Sequence, residues 1–434
     1  MTNIAVIVLD TLRKDSFDDY FDWLPGVSYD NAWSTSHWTV PAHASMFTGK
    51  YGSDVPATKK AASFPAESVP WLPTQLQQEG YTTRAFSANA YLSWKFGFDQ
   101  GFDEFEGSWR VRQIPRGDLF DWNSFIARHS DDGPERFPLA LWECLRSDCD
   151  TLPSLKYGAR LKLNEYRDRS GEFADDGARE ALDMATTTSF GDQEFFFINL
   201  VEPHWPYSAP EEYRRVEAPG LRWLDATLGD GYDDPDWIRT AYEDEVRYLS
   251  DLYQDLFEAV KSSFDVVVTC ADHGESLGED GVWQHWYGIP PEVTNVPLSV
   301  YAPDETLEST NSPVSLLDVH RTVSEIAGVS TESHGADLRR LSETDGRTVG
   351  VEYHGLSSQH IEGMEQRGYD AERYDRPLYG VVTESGYHYE TFDGFVGDDR
   401  DVVDEFAADR DAVEAREGEL DAETRQQLED LGYA

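Results

Sequence analysis

Residues 4–9 read IAVIVL, six apolar and mostly β-branched positions without a polar interruption. A strand with one face in water alternates apolar and polar residues, so an unbroken run implies a strand covered on both faces. Three more runs have this character: FFFINLV at 195–201, DVVVTC at 265–270 and LSVYA at 298–302. Four such strands require a sheet held between two other layers. The segments between them carry helical spacing. Residues 239–261 place Tyr242, Val246, Leu249, Leu252, Tyr253, Leu256 and Val260 along one face. PTQLQQE at 73–79 stops at Gly80 and leads into a further strand, YTTRAFSA. Strands alternating with helices predict an α/β fold with a mostly parallel central sheet flanked by helices on both faces.

Charge narrows the class of partner. The 434 residues carry 83 acidic and 36 basic side chains, a formal net charge of −47. The acidic residues run along the whole chain rather than gathering in a tail, as on a surface that stays hydrated in concentrated salt. We read a halophile's cytoplasmic protein. Its field repels nucleic acid and anionic membranes, so neither is an expected partner. No apolar run approaches the roughly 18 residues of a membrane span. The opening MTNIAVIVLDTLRKD has no basic n-region, and its apolar run is too short for a signal peptide. Cys144, Cys149 and Cys270 are too few and too scattered for a disulfide framework or a zinc site. An anionic substrate would need local cations, and a bound metal can supply them.

Residues 109–190 are rich in charge and in helical segments such as SGEFADDGAREALDMA, and they read as an insertion or lid. From about 305 the texture changes. SPVSLLDVHRTVSEIAGV is a helix closed by Gly328; TVGVEYHG and YGVVTESGYHYETF are strand-like, the second a hairpin turning at SG; AETRQQLEDLGYA is a terminal helix. The chain is therefore divided into a catalytic domain over 1–304, with the helical insertion at about 109–190, and a smaller C-terminal α+β subdomain over 305–434.

In parallel α/β sheets ligands bind beyond the carboxyl ends of the strands. Asp10 follows IAVIVL, Glu202 and His204 follow FFFINLV, and Asp272 and His273 follow VVVTCA. Two aspartates and a histidine converging from separate strands form an oxygen and nitrogen ligand set for a divalent cation, whether Ca, Mn, Mg or Zn. The stretch SHWTVPAHASMFTG at 36–49 supplies a hydroxyl, Thr39. Threonine is a weak nucleophile until a base or metal lowers its pKa. Coordination to the cation held by Asp10, Asp272 and His273 would do so. Pro41 can start a helix whose free N–H groups hold an anion, and His43 would then face the nucleophile or that anion.

NIAVIVLDTLRKD, WTVPAHASMFTGKY, FFFINLVEPHWPY and VVVTCADHGESLGEDGVWQH occur in the order seen in the sulfatase family of the alkaline-phosphatase superfamily, and the chain resembles that family from its core to its C-terminus. The resemblance, of a haloarchaeal type with threonine at the nucleophile position, implies an alkaline-phosphatase-like fold. It implies metal ligation by Asp10, Asp272 and His273, ester contact by His204, and leaving-group protonation by His285. Thr39 stands where the family carries a Cys or Ser that becomes formylglycine; phosphodiesterases and phosphotransferases of the superfamily use unmodified threonine. The motif's arginine is His43 here, the usual second aspartate of the first strand is Thr11, and the lysine-bearing stretch reads SANAYLS, with Asn89 as its polar substitute. The reading is a metal-dependent hydrolase of sulfate or phosphate esters with an anionic ester substrate. The alternatives are a phospho- or sulfo-group transferase acting on a glycan or lipid head group, and a non-catalytic metal-binding domain.

Overall fold

The computed structural model describes residues 2–410 and 428, apart from 56, 61–62, 65–68, 115, 117–118, 130–135, 153, 160–176, 218–222, 230, 232–234 and 342–345. Its centre is a seven-stranded sheet: β1 Ile4–Leu9, β2 Val27–Ser28, β3 Thr82–Ser87, β4 Glu104–Gly107, β5 Glu194–Leu200, β6 Val266–Cys270 and β7 Leu298–Tyr301, in the spatial order β2-β7-β6-β1-β5-β3-β4. Five strands run parallel. β7 is antiparallel to β6, and β2 antiparallel to β7. The unbroken apolar runs are the inner strands, and every residue of β1, β5 and β6 is buried.

Alternate side chains of β5 serve opposite layers. Phe197 packs against Phe47 of the helix Thr39–Thr48 and against Phe98, whereas Phe196 meets Phe190 and Phe264. The helix Thr39–Thr48 is backed by Leu316–Ala327 and Leu72–Gln78; the long helix Pro235–Lys261 is backed by Ala178–Thr187. Each fully buried Val, Ile, Leu or Phe here contributes roughly 1.5–3 kcal/mol. The helix at 316–327 closes at Gly328, whose φ of 75° is the left-handed conformation that ends a helix without a Cβ penalty.

Register fixes what emerges at the carboxyl edge. Leu9 pairs with Leu200, Val8 with Cys270 and Ser87 with Asn199. Asp10, Asn89 and Asp272 therefore leave the sheet within one short stretch of its rim, on three strands.

A second, antiparallel sheet of four strands, Val349–Tyr353, Leu378–Thr383, Gly386–Thr391 and Gly394–Val396, carries the helix Arg400–Ala408 on one side. The hairpin turns at Glu384–Ser385. Ser36 bridges to Glu352, and Ser53 Oγ donates to Glu352 Oε1 at 2.6 Å, tying this sheet to the segments on either side of the helix Thr39–Thr48. The described residues of 109–190 hold the helices Trp122–Arg128, Arg136–Arg146 and Ala178–Thr187 and no strand. The helix expected at 422–434 lies outside the described residues except for Leu428. The helix at 400–408 escaped the sequence reading.

Candidate metal centre and catalytic cleft

Asp10 is the first residue beyond β1 and is fully buried. Its Oδ2 accepts from Asn89 Nδ2 at 2.7 Å and from Asn199 Nδ2 at 3.4 Å, while its Oδ1 has no partner. Asp272, two residues beyond β6, mirrors it. Oδ1 accepts from the His273 amide at 2.9 Å and, more weakly, from the Thr11 amide at 3.4 Å, while Oδ2 is unpartnered. Thr11 achieves this with a positive φ of 60° and hands its hydroxyl to the Asp10 carbonyl at 2.6 Å.

His273 accompanies the two carboxylates. Its Nδ1 lies 3.0 Å from the Gly274 carbonyl, which assigns the proton to Nδ1 and leaves Nε2 as the lone-pair nitrogen. The ligand atoms of Asp10, Asp272 and His273 all lie within 4.8 Å of one another. Two buried carboxyls this close repel, and desolvation penalises both. Asp10 is pushed up to about 7, by burial first and by Asp272 next; Asp272 is pushed up to about 7 by burial. Orphaned buried oxygens and an imidazole lone pair are the donor set of a divalent cation, so these residues fit the metal that the sequence pattern implies.

The helix Thr39–Thr48 places the hydroxyl. Sequence reasoning starts this helix at Pro41; the structure starts it at Thr39. Pro41 is the third helical residue, where its missing N–H is one that finds no intrahelical acceptor anyway. Thr39 Oγ1 lies 3.3 Å from His273 Nε2 and 3.4 Å from Asn89 Nδ2. Asn89 thus touches both Asp10 and Thr39.

His43 lies elsewhere than expected. One turn on from Thr39, its Nδ1 is 2.8 Å from the Thr39 carbonyl and 3.6 Å from Asp272 Oδ2, and its ring packs edge-on to Phe98 and Phe197. It stands behind Asp272, fully enclosed, and does not face the cleft.

The cleft is lined by Trp38, Thr39, Lys59, Tyr91, His204, Trp205, Gln284, His285, Trp286 and His360. His204 Nδ1 is engaged by the Trp205 carbonyl at 2.7 Å, and its ring lies 5.5 Å from that of His285. The ring of His285 lies 4.3 Å from that of His273, tilted by 41°, and its Nδ1 is 2.9 Å from Glu275 Oε1. Burial brings His204 down to about 3 and holds His285 well below the usual imidazole range, so both rings are neutral.

Glu202, grouped with His204 at the strand end, serves the fold instead: its Oε1 accepts from the amide of Ala178 at 2.7 Å, at the start of the helix Ala178–Thr187. Arg13 pairs with Asp15 at 2.6 Å and Glu279 at 3.0 Å, outside the cleft. Two participants were missed. Glu275 stands inside the motif DHGES and positions His285. Lys59 enters from the loop after the helix Thr39–Thr48; the scarcity of lysine, eight in 434 residues, was the signal that marks the pair at 59–60.

Among known proteins, the chain is 21% identical over 359 residues to the uncharacterized sulfatase YidJ of Escherichia coli (strain K12), spanning 77% of this chain and 67% of that protein. It is similar in fold to the crystal structure of phosphonate monoester hydrolase of Agrobacterium radiobacter, with a TM-score of 0.60 and 15% identity over 99% of this chain and 95% of that chain. The structure of BT1596, a 2-O GAG sulfatase, is similar at a TM-score of 0.59 and 15% identity, over 99% of this chain and 91% of that chain. The profile of the family described as Sulfatase matches residues 19–329, well over half of the chain, and the chain belongs to the sulfatase family of the alkaline-phosphatase superfamily.

Proposed function

We propose that the protein is a metal-dependent hydrolase of sulfate or phosphate esters in which unmodified Thr39 is the nucleophile. The observation that carries this reading is the convergence of Thr39 Oγ1, His273 Nε2 and two unpartnered carboxylate oxygens at the sheet rim. A divalent cation held by Asp10, Asp272 and His273, with Thr39 as a further oxygen donor, would supply Lewis-acid polarisation and offset negative charge; Ca, Mn, Mg and Zn all suit oxygen and nitrogen donors.

The remaining work falls to side chains. Thr39 Oγ1, steered by the first helical turn and by Asn89, forms the bond to sulfur or phosphorus as the bond to the alcohol oxygen breaks. His204 faces the same space with Nδ1–H held by the Trp205 carbonyl; its bare Nε2 takes the proton that Thr39 Oγ1 gives up, and the N–H so formed donates to the anionic oxygens as charge develops on them. Burial keeps the Glu275 carboxyl protonated, so it donates to His285 Nδ1 and leaves the imidazole proton on Nε2; His285 passes that proton to the departing alcohol oxygen as Nδ1 takes the one from Glu275. Water then cleaves the Thr39 ester: the leaving Thr39 oxygen takes its proton back from His204, one water proton restores the His285–Glu275 pair and the other passes to solvent, and sulfate, or from a phosphate diester the phosphate monoester, is released. The similar folds of a phosphonate monoester hydrolase and a 2-O GAG sulfatase support keeping both phosphorus and sulfur esters in this reading.

The test is hydrolysis of nitrophenyl sulfate, nitrophenyl phosphate and bis-nitrophenyl phosphate with each divalent metal, beside Thr39→Ala. Metal-dependent cleavage that disappears in the variant is expected. Turnover unchanged by the substitution removes Thr39 from the mechanism, and turnover of no ester overturns hydrolysis in favour of transfer to an alcohol acceptor.

A further inference from the structure

Lys59 is the one buried lysine among the described residues, with 4% of its surface exposed. Its Nζ donates to the Trp286 carbonyl at 2.8 Å and lies 5.0 Å from the ring centroid of Trp286 and 5.8 Å from that of Trp38. In a chain with 83 acidic residues, no carboxylate among the described residues pairs with it. A desolvated ammonium without a counter-ion costs free energy. Here it is held against two indole faces, at the wall of the cleft that contains Thr39, His204 and His285.

Among the described residues, no other lining residue of the cleft is a lysine or arginine. His43, at the position of the motif's arginine, is sealed behind Asp272, and the stretch SANAYLS brings Asn89 to the rim rather than a cation. Arg110, whose charge is felt by His204, does not line the cleft. His204 and His285 are neutral. A divalent cation would balance Asp10 and Asp272, so Lys59 leaves the cleft with one uncompensated positive charge.

We propose that Lys59 receives the charge of the substrate's ester group and restricts the cleft to singly charged esters: sulfate monoesters, phosphate diesters and phosphonate monoesters rather than doubly charged phosphate monoesters. This rests on the ester-hydrolase reading above. A second negative charge on the ester would be desolvated with no partner on the protein.

The experiment compares two unreactive tetrahedral sulfur anions, methanesulfonate with one charge and inorganic sulfate with two, by titration calorimetry on the metal-loaded chain at pH 6, where Lys59 carries its proton, and at fixed ionic strength. Methanesulfonate is expected to bind at least tenfold tighter than sulfate. Lys59→Met and Lys59→Gln are each expected to weaken methanesulfonate about 10- to 100-fold, while metal content and the unfolding midpoint show that the fold and the Asp10–Asp272–His273 cluster are intact. Methanesulfonate affinity within a factor of about two of wild type in both variants overturns the role of Lys59, as does wild-type protein that binds sulfate as tightly as methanesulfonate. Failure of the hydrolase reading looks different: Lys59-dependent binding of methanesulfonate with no turnover of any ester.

Discussion

Replacing Lys59 by Met keeps the unbranched length of the side chain and removes its charge, so the substitution isolates what the buried ammonium does to stability. Burial lowers this amine from 10.5 in the unfolded chain to about 7 in the folded one. A folded value below the unfolded value means that stability from this group is complete above 10.5 and is lost as pH falls to about 7. At about 1.4 kcal/mol per pH unit, the span from 10.5 to about 7 amounts to about 5 kcal/mol. The wild type bears that whole cost at pH 6 and about 2 kcal/mol of it at pH 9. Losing the hydrogen bond to the Trp286 carbonyl subtracts about 1 kcal/mol from the gain of the variant at either pH. The quantity to measure is therefore the change in the stability difference between the two proteins. We expect Lys59→Met to exceed wild type by about 3 kcal/mol more at pH 6 than at pH 9, in urea unfolding at fixed ionic strength without divalent metal. The same difference at both pH values would refute the reasoning, because it would place the ammonium in water or beside a counter-ion.

Thr39→Ala is expected to lower ester hydrolysis at least about 10³-fold with metal affinity within a few-fold of wild type, whereas Thr39→Ser retains a primary hydroxyl and measurable turnover. Asn89→Ala removes the 2.7 Å hydrogen bond to Asp10 and the contact with Thr39; a metal titration is expected to show affinity weakened about 10- to 100-fold. His285→Ala should cost about 10²–10⁴ in turnover of alkyl esters and far less for nitrophenyl esters, whose leaving group needs little protonation, so the dependence of kcat/KM on leaving-group pKa steepens. Without metal, Asp10 and Asp272 sit near 7 against an unfolded value of 3.8. A raised folded value gives stability that is present below 3.8 and lost as pH rises through about 7, so the Tm gap between metal-loaded and chelator-treated protein should widen from pH 5 to pH 8.

The central sheet was legible because its signal is local. IAVIVL, FFFINLV and DVVVTC are unbroken apolar runs, and burial on both faces demands that. Asp10, Asp272 and His273 were legible for a related reason, since a charged residue directly after such a run is placed by the strand itself. Asn89 came through the resemblance to the family alone, as the polar substitute in SANAYLS. Lys59 could not be found this way. It sits in the polar stretch VPATKK, and its burial depends on Trp286, 227 positions away. His43 was misplaced because a helix starting at Thr39 rather than Pro41 turns the ring toward Phe98 and Phe197. Glu202 looked like His204, two positions on, yet the strand has ended and the chain turns between them, with the His204 amide on the Val201 carbonyl at 2.9 Å, so one side chain goes to a helix start and the other to the cleft.

β1 stands at the middle of the sheet, but its two neighbours are β5 and β6, made about 190 and 260 positions later in the chain. During synthesis IAVIVL therefore waits without a strand partner while most of the catalytic region is still to come, and such an apolar segment invites misassociation until it is paired. The Asp10–Asn199 contact closes only when β5 docks and the Thr11–Asp272 contact only when β6 docks, across 189 and 261 positions. A cation cannot find its ligands in any nascent fragment that stops short of residue 273. Metal capture would thus be a late event in the life of each molecule, and an ion held there would also register that the long-range pairing of the sheet is complete.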